Sequence, residues 1–146
     1  MRGFEKAKGY ENIEFELPKR QTKHSAGYDL AIIEDLEISP GEIKLGVTGV
    51  KAFMGDDEVL KLYPRSSLPR KYHLTIPNNV GIIDSDYYSN QENDGAIYVQ
   101  LFNFGKEVIT LKKGERIAQG IFQKYLISNL EEEILQTRNG GFGSTD

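Results

Sequence analysis

Short runs in which apolar and polar residues alternate recur along the chain, and several of them are followed by a proline or by a turn that contains glycine. The clearest runs cover residues 13–17, 58–63, 97–102 and 108–111. Alternation with a period of two is typical of strands with one buried face, and a proline or glycine after such a run marks a turn. We therefore predict strands over these four runs, and a strand, a turn and a second strand around residues 38–42.

One segment departs from this pattern. Residues 68–74 suggest a helix of one or two turns, in which Pro69 occupies an early position. The chain has 146 residues, which suits a single domain with one core. Many short strands separated by turns in so small a chain favour an all-β sandwich or a distorted barrel.

Composition narrows the classes of function. Eighteen Lys and Arg against 22 Asp and Glu give a net charge of -4, which argues against a general nucleic-acid binder, because such a protein needs many basic contacts to phosphates. The chain has no cysteine and two separated histidines, His24 and His73, so a metal would have to be a hard cation bound through oxygen. No run can span a bilayer and residues 1–6 lack the apolar core of a signal peptide, so we expect a cytoplasmic protein that contacts no membrane.

Two segments in the first half of the chain combine small residues, charges and hydroxyls. In residues 25–30, two small residues let the backbone pass close to another group before Asp29 enters an apolar run; the alternative is a turn that Asp29 caps. Further on, Arg65, Ser66 and Ser67 stand between a strand and the short helix, where a guanidinium and two hydroxyls beside backbone amides can bind phosphate. The alternative is that one of the serines simply caps the helix.

Residues 77–88 carry two carboxylates close to tyrosines. Asp84 and Asp86 are two apart, so on an extended chain they point to the same side, where one can position a water molecule. The alternative is a β-hairpin with an acidic turn. Gln119 is the odd polar residue in an otherwise buried strand, and such a residue is more often a satisfied core amide than a ligand contact.

Two polar segments, residues 89–95 and 138–146, are predicted to be exposed and mobile. The second is rich in glycine, and such a tail can wrap around phosphates with its amides as donors. Within it, Phe142 can stack on a base and Arg138 can pair with phosphate. The alternative is a disordered terminus, although a phenylalanine and an arginine are unusual in one.

Five motifs follow one another along the chain: Ala-Gly-Tyr-Asp-Leu, Pro-Arg-Ser-Ser, Gly-Ile-Ile-Asp-Ser-Asp-Tyr, Arg-Ile-Ala-Gln and Gly-Gly-Phe-Gly-Ser-Thr. In this order they resemble the motifs of the trimeric dUTPases, the dUTP pyrophosphatase family, over residues 26–145. The resemblance implies a distorted jelly-roll β-barrel with one short helix over residues 1–137, and a flexible arm over residues 138–146 that closes over the active site. It also implies a homotrimer with exchanged arms, in which each site is assembled from three chains.

The resemblance further implies that the protein hydrolyses dUTP to dUMP and pyrophosphate with Mg²⁺ bound to the triphosphate, which limits uracil in DNA and supplies dUMP for dTMP synthesis. Asp84 matches the acid that activates the attacking water. Tyr87 matches the ring under the deoxyribose, and Asp29 matches the acid that holds metal-bound water. The other substrate-binding positions are matched by Asn78, Gly81 and Ile82 at the uracil hairpin and by Arg65, Ser66, Ser67, Gln119, Arg138, Phe142, Gly143, Ser144 and Thr145 around the phosphates and in the arm.

The chain departs from the family pattern at two places. Residues 89–95 lengthen the segment after Tyr87, where the family usually continues Arg-Gly-Glu, and form either a solvated loop or an element that binds a protein partner. Arg138 stands one residue closer to Phe142 than in the commoner Arg-Gly-x-Gly-Gly-Phe spacing. Two alternative functions stay open: the related dCTP deaminases share the barrel and a similar Arg-Ser-Ser segment, and a β-barrel module can bind nucleotide as a signal for a protein partner.

Overall fold

The computed structural model describes residues 1–143 and 145, and strands dominate this part of the chain. The strands are β1 (Gly3–Lys6), β2 (Tyr28–Ala31), β3 (Leu36–Ile38), β4 (Ile43–Val47), β5 (Val50–Phe53), β6 (Glu58–Pro64), β7 (Leu74–Thr75), β8 (Gly81–Asp84), β9 (Tyr98–Asn103), β10 (Ile109–Leu111) and β11 (Arg116–Lys124). An α-helix, α1 (Ser67–Tyr72), and a 3₁₀ turn (Ser85–Tyr87) stand among them. The prediction of an all-β fold with one short helix is confirmed.

Most of the predicted strands are present. The alternating runs at residues 58–63, 97–102 and 108–111 correspond to β6, β9 and β10. The predicted turn near residue 40 joins β3 to β4, and Gly41 adopts a φ of 78° there, a left-handed conformation that glycine tolerates without strain.

The strands form antiparallel sheets whose neighbours are far apart in sequence. The largest has the order β2-β11-β6-β8, a second has the order β4-β9-β7, and two strand pairs, β1-β5 and β10-β3, extend the structure. The long strand β11 pairs with β2 on one side and β6 on the other. The last strand, β11, therefore brings the segment around Asp29 close to the segment around Pro64.

The core lies between these sheets. Along β9 the side chains alternate between buried and partly exposed, so Val99 and Leu101 face inward as the sequence predicts. Burial of such aliphatic side chains contributes about 1.5–3 kcal/mol each. The fully buried core residues include Leu30, Ile32, Ile38, Val50, Leu60, Leu68, Leu74, Ile97, Leu101, Leu111 and Ile117.

The strand predicted over residues 13–17 is wrong. Within the described residues this segment pairs with no strand, although its residue Phe15 still packs against the core. Lys6 donates from Nζ to the carbonyl of Ile13 at 2.5 Å, so a side chain from β1 satisfies backbone here. Alternation in the sequence indicates which side chains are buried, but it does not indicate whether a neighbouring strand is available for pairing. The neighbour of β5 is β1, which has no clear alternation of its own.

The short helix α1 follows β6 directly and fixes the chain after Arg65. Leu68 is buried and anchors the helix to the core, and His73 ends it with a φ of 53°. Ser66 occupies the N-cap position, but its hydroxyl makes no capping hydrogen bond. Across the residues that the structure describes, no helix has both the length and the apolar character needed to cross a membrane.

Candidate active site

Strand β8 forms the outer edge of the largest sheet. It pairs with β6 through Gly81↔Leu62 and Ile82↔Lys61, and it is the last strand in the sheet order. An edge strand leaves a row of backbone N–H and C=O groups without ladder partners on its outer side. A Cβ at Gly81 would stand 3.1 Å from that of Leu62, so glycine keeps this edge close to β6.

A cleft of about 260 Å³ opens along this edge. The structure brings together in its wall the predicted uracil hairpin, the predicted catalytic acid and the predicted arm. The site residues that line it are Asn78, Gly81, Ile82, Asp84, Tyr87, Arg138, Phe142, Gly143 and Thr145. Ser144, also predicted to bind substrate, lies outside the described residues.

Asp84 and Asp86 converge on one partner, although not in the way predicted. The extended chain expected between them is wrong, because β8 ends at Asp84 and Asp86 lies in the 3₁₀ turn. Arg138 donates to Asp84 Oδ2 from Nη2 and to Asp86 Oδ1 from Nε, both at 2.8 Å. The hydrogen bond to Asp86 raises the pKa of Arg138 above its usual value, and the negative charges of Asp86 and Asp84 act in the same direction. Partial burial of the guanidinium opposes this shift. The carboxylates are 54% and 59% exposed, whereas Arg138 is 10% exposed.

Tyr87 forms the floor of the cleft and is held at its hydroxyl. The hydroxyl donates to the carbonyl of Ala96 at 2.7 Å and accepts from Asn93 Nδ2 at 2.9 Å. Burial raises the pKa of Tyr87 above its ordinary value, although the hydrogen bond from Asn93 opposes the shift. The phenol therefore stays protonated at neutral pH and works as a fixed ring. The Arg138 guanidinium stands 5.8 Å from the ring centroid.

A second pocket collects the predicted phosphate-binding residues. It is lined by Gln21, Ser25, Gly27, Asp29, Arg65, Ser66 and Gln119. Gln119 lines this pocket and is only partly buried, and its Nε2 makes a long contact of 3.4 Å to the carbonyl of Pro64. A Cβ at Gly27 would stand 2.9 Å from the Cβ of Gln119, which confirms the predicted close approach of backbone at the small residues.

Asp29 is held between two arginines. Its Oδ1 lies 3.3 Å from Arg65 Nε and its Oδ2 lies 3.3 Å from Arg116 Nη1. Sequence reasoning missed Arg116, which opens β11 opposite Ala31 just before an irregularity in the register. The Arg-Ile-Ala-Gln motif names this residue, but only the pairing of β11 with β2 brings it to Asp29. Asp29 and Arg65 line the pocket, whereas Arg116 contacts Asp29 from outside it. The three side chains together carry a net positive charge, which suits an anion bound beside them.

The two pockets share no lining residue. In one chain, therefore, the candidate base and arm belong to one cluster, and Arg65, Ser66 and Gln119 belong to another. Ser67 is the first residue of α1 and lines neither of these two pockets.

The carboxylates of the described residues limit how the protein can bind Mg²⁺. Among residues 1–143 and 145, no group of three or more His, Cys, Asp or Glu side chains is placed to hold a metal ion. Asp29 is a single carboxylate that already pairs with two arginines. Magnesium keeps several waters and commonly binds through one or two carboxylates together with substrate phosphates. The described carboxylates therefore fit an ion that keeps most of its waters, and they do not fit a cage made by protein alone.

The loop at residues 89–95 is less exposed than the sequence suggests. The prediction that it is exposed is wrong for Asn90 and Gly95, which are buried. Asn90 donates to the carbonyl of Tyr87 at 2.8 Å and to Asn93 Oδ1 at 2.7 Å, so hydrogen bonds inside the loop fix its shape.

Comparisons with known proteins place the chain in one family. A family model described as dUTPase matches residues 13–146. The chain is also 48% identical over 146 residues to the deoxyuridine 5'-triphosphate nucleotidohydrolase of Lactococcus lactis subsp. lactis, with 99% of this chain and 97% of that protein covered. The chain belongs to the dUTPase family.

Solved dUTPase structures agree with this assignment. The dUTPase from Streptococcus mutans is 49% identical with a TM-score of 0.82, over 87% of this chain and 98% of that one. A mutant dUTPase from phage phi11 of S. aureus, described with a structural Mg(II) ion, is 20% identical with a TM-score of 0.74, over 91% of this chain and 96% of that one. The second likeness shows a shared fold alone. The predicted family and the jelly-roll-type fold are confirmed.

Proposed function

We propose that this protein hydrolyses dUTP to dUMP and pyrophosphate, the reaction named for its relatives. The observation that carries the proposal is the cleft in which Asp84 stands beside the outer edge of β8, the Tyr87 ring and the arm. A carboxylate base, a polar backbone edge and a closing segment are the parts that this reaction requires. Such an enzyme limits uracil in DNA and supplies dUMP for dTMP synthesis.

Asp84 acts as the general base. Water is a poor nucleophile, so a carboxylate that accepts its proton and holds it in line with the α-phosphorus lowers the barrier through positioning and proton transfer. The water oxygen bonds to the α-phosphorus, the bond from that phosphorus to the bridging oxygen breaks, and pyrophosphate leaves. Asp84 is 54% exposed, so it can return the proton to solvent.

Arginines bind the phosphates. Arg65 in the second pocket and Arg138 in the arm supply charge-assisted hydrogen bonds, and Ser66 and Gln119 add neutral donors. Arg138 contacts Asp84, and phosphate oxygens are strong acceptors for the same guanidinium. Transfer of that bond to a phosphate frees the Asp84 oxygen that must hold the water. Asp29 would hold, through water, a magnesium ion bound to the triphosphate, and the ion would supply positive charge that offsets the charge building on the phosphates.

The outer edge of β8 reads the base. Uracil presents an alternation of acceptor, donor and acceptor along its edge, and the backbone of Gly81 and Ile82 with the side chain of Asn78 can pair with it. Cytosine would leave some of these fixed groups unpaired, and such a penalty discriminates more strongly than shape. Tyr87 packs under the deoxyribose and leaves no room for a ribose 2′-hydroxyl, while Phe142 stacks on the base.

The complete site forms between copies of the chain in a homotrimer with exchanged arms. Two observations support this. The base and the phosphate-binding residues lie in separate pockets of one chain. The segment after β11 exposes large apolar side chains in a stretch without strand pairing, namely Leu126, Ile127, Leu130, Ile134 and Leu135. Exposed apolar residues in such number are typical of surfaces that a partner chain covers.

The test of the reaction is pyrophosphate release from the eight common nucleoside triphosphates, measured with and without Mg²⁺. We expect release from dUTP in the presence of Mg²⁺ and little from the other seven. Ammonia from dCTP would support a deaminase and contradict the proposal, as would equal turnover of UTP and dUTP.

The test of the shared site is complementation between Asp84→Asn and Arg65→Gln. Each variant alone should be inactive. The two variants are then unfolded together in equal amounts and refolded. If the trimers assemble at random, about a quarter of their sites should combine an intact Asp84 with an intact Arg65 from the neighbouring chain. Recovery of activity near that fraction supports the shared site, and no recovery despite mixed trimers contradicts it. A protein partner at the 89–95 loop and a cytoplasmic location stay predictions.

A further inference from the structure

The 89–95 loop is braced on its outer side by the N-terminal part of the chain. Lys51 Nζ lies 2.8 Å from Asp94 Oδ2, and Lys51 is 13% exposed on its side chain. The backbone N–H of Lys8 donates to the same Asp94 oxygen at 2.8 Å. The hydroxyl of Tyr88, which leads into the loop, donates to Glu5. The partly buried charge pair with Lys51 ties the loop to β5, and two exposed hydrogen bonds tie it to β1 and to the residues just after β1.

The bend of the loop depends on Gly95. Its φ is 91°, and a Cβ there would stand 2.9 Å from the carbonyl oxygen of Tyr87 and 3.0 Å from the nitrogen of Ser89. The start and the end of the loop therefore lie against each other at Tyr87. From the middle of this loop, Glu92 and Asn93 reach Gly141 and Tyr87, two residues that line the cleft.

The inner side of the loop contacts both the arm and the tyrosine floor. Glu92 Oε2 accepts a hydrogen bond from the backbone N–H of Gly141 at 2.7 Å. Asn93 donates to the Tyr87 hydroxyl at 2.9 Å, while its oxygen accepts from the Gly95 N–H at 3.0 Å. A Cβ on Gly141 would stand 2.8 Å from Asn93 Cγ, so the arm backbone lies directly on the Asn93 amide.

We propose that Glu92 and Asn93 are positioning residues that seat the arm over the nucleotide and hold the Tyr87 ring beneath it. Glu92 is then the acceptor for the arm, and Asn93 is the surface on which Gly141 rests. An arm supplied by a neighbouring subunit can make the same two contacts. This assigns to the lengthened loop a role at the reaction site.

The inference rests on the proposed dUTPase reaction and predicts a particular kinetic pattern. The contact between Glu92 and Gly141 belongs to the closed arm in both the substrate complex and the transition state. Loss of such uniform binding raises KM and leaves kcat nearly unchanged. Removal of a hydrogen bond to a charged group typically weakens a binding equilibrium by about tenfold or somewhat more.

The first experiment compares steady-state dUTP hydrolysis by Glu92→Ala, Glu92→Gln and Gln91→Ala. Glu92→Ala should raise KM about 10-fold with kcat within about 2-fold of the parent. Glu92→Gln keeps an acceptor oxygen and should recover most of that loss. Gln91 is an exposed neighbour in the same loop, so its truncation is the matched control and should leave both constants unchanged. Equal KM for Glu92→Ala and the parent would overturn the proposal.

The second experiment tests the contact through a double-mutant cycle of Gly141→Ala with Asn93→Ala. The added methyl group should raise KM strongly when Asn93 is present and at least about threefold less when its amide is removed, because the clash disappears. Additive effects would contradict the contact. If Asn93→Ala does not fold, the Glu92 series still decides. A parent protein that does not hydrolyse dUTP would refute the reaction, whereas an active parent with unaffected Glu92 variants would refute only this inference.

Discussion

Replacement of Asp84 by asparagine should separate catalysis from arm binding. Asparagine has the same shape and keeps one oxygen that can accept from Arg138, and the 2.8 Å bond from Arg138 to Asp86 is untouched. The arm should therefore stay in place, and KM should change by no more than about 3-fold because the lost charge is half exposed and screened. What disappears is the group that takes the proton. General-base catalysis supplies about 10²- to 10⁴-fold, so kcat should fall by that factor, equivalent to about 3–5 kcal/mol of transition-state stabilisation.

Asp86→Asn is the matched control, because this residue has the same partner at the same 2.8 Å and a similar exposure. Asparagine again keeps an acceptor for Arg138, so both KM and kcat of this variant should stay within about 3-fold of the parent. The assay is pyrophosphate release under steady-state conditions with saturating Mg²⁺, together with a single-turnover measurement that isolates the chemical step. A kcat for Asp84→Asn within tenfold of the parent, or an equal loss of kcat in both variants, would refute the assignment of the base.

Three further changes test other parts of the structure. Tyr87→Phe removes a buried hydroxyl that makes two hydrogen bonds, so the free energy of unfolding should fall by about 1–3 kcal/mol in urea titrations while kcat is largely kept; a much larger loss of kcat would mean that the hydroxyl takes part in the chemistry. Gly27→Ala places a methyl group against Gln119 and should lower kcat/KM for dUTP about 10-fold, and unchanged kinetics would contradict a role for this pocket. Arg2 donates to Glu58 at 2.6 Å and holds the pKa of that carboxyl below its usual value, so this contribution to stability is present above the ordinary glutamate pKa and is lost as the pH falls through the lowered value. Arg2→Met should accordingly have a lower Tm than the parent at pH 7, with a difference that disappears in acid, and a difference that persists there would contradict the ion pair.

Local pattern was sufficient for the strands that lie between two packed neighbours. In β9 the alternation in sequence coincides with burial of one face and with pairing at both edges. Strand β6 is also paired at both edges, but its first three residues are all buried, so it follows the alternation only from Leu60 onward. Residues 13–17 alternate just as clearly but pair with no strand in the described structure. Side-chain burial is encoded locally in sequence, whereas the presence of a partner strand depends on residues far away along the chain.

The motifs predicted which residues belong to the candidate site, but they did not predict the contacts that form between distant strands. The motifs named Asp84, Gln119 and Asp29 directly. Arg116 reaches Asp29 only through the antiparallel pairing of β11 with β2, residues separated by 87 positions. Contacts of this kind depend on sheet register, which no periodicity in either segment reveals.

The 89–95 loop shows why a polar, turn-rich segment need not be an exposed one. Its composition favours solvent, yet Asn90 is buried because its amide satisfies the Tyr87 carbonyl and holds Asn93 in place. Asparagine supplies both donors and an acceptor, so a few asparagines can build an ordered turn without apolar contacts. In the sequence, these polar residues indicate a flexible loop. In the folded chain, the same side chains form the hydrogen bonds that fix Tyr87 next to Asp84 and the arm.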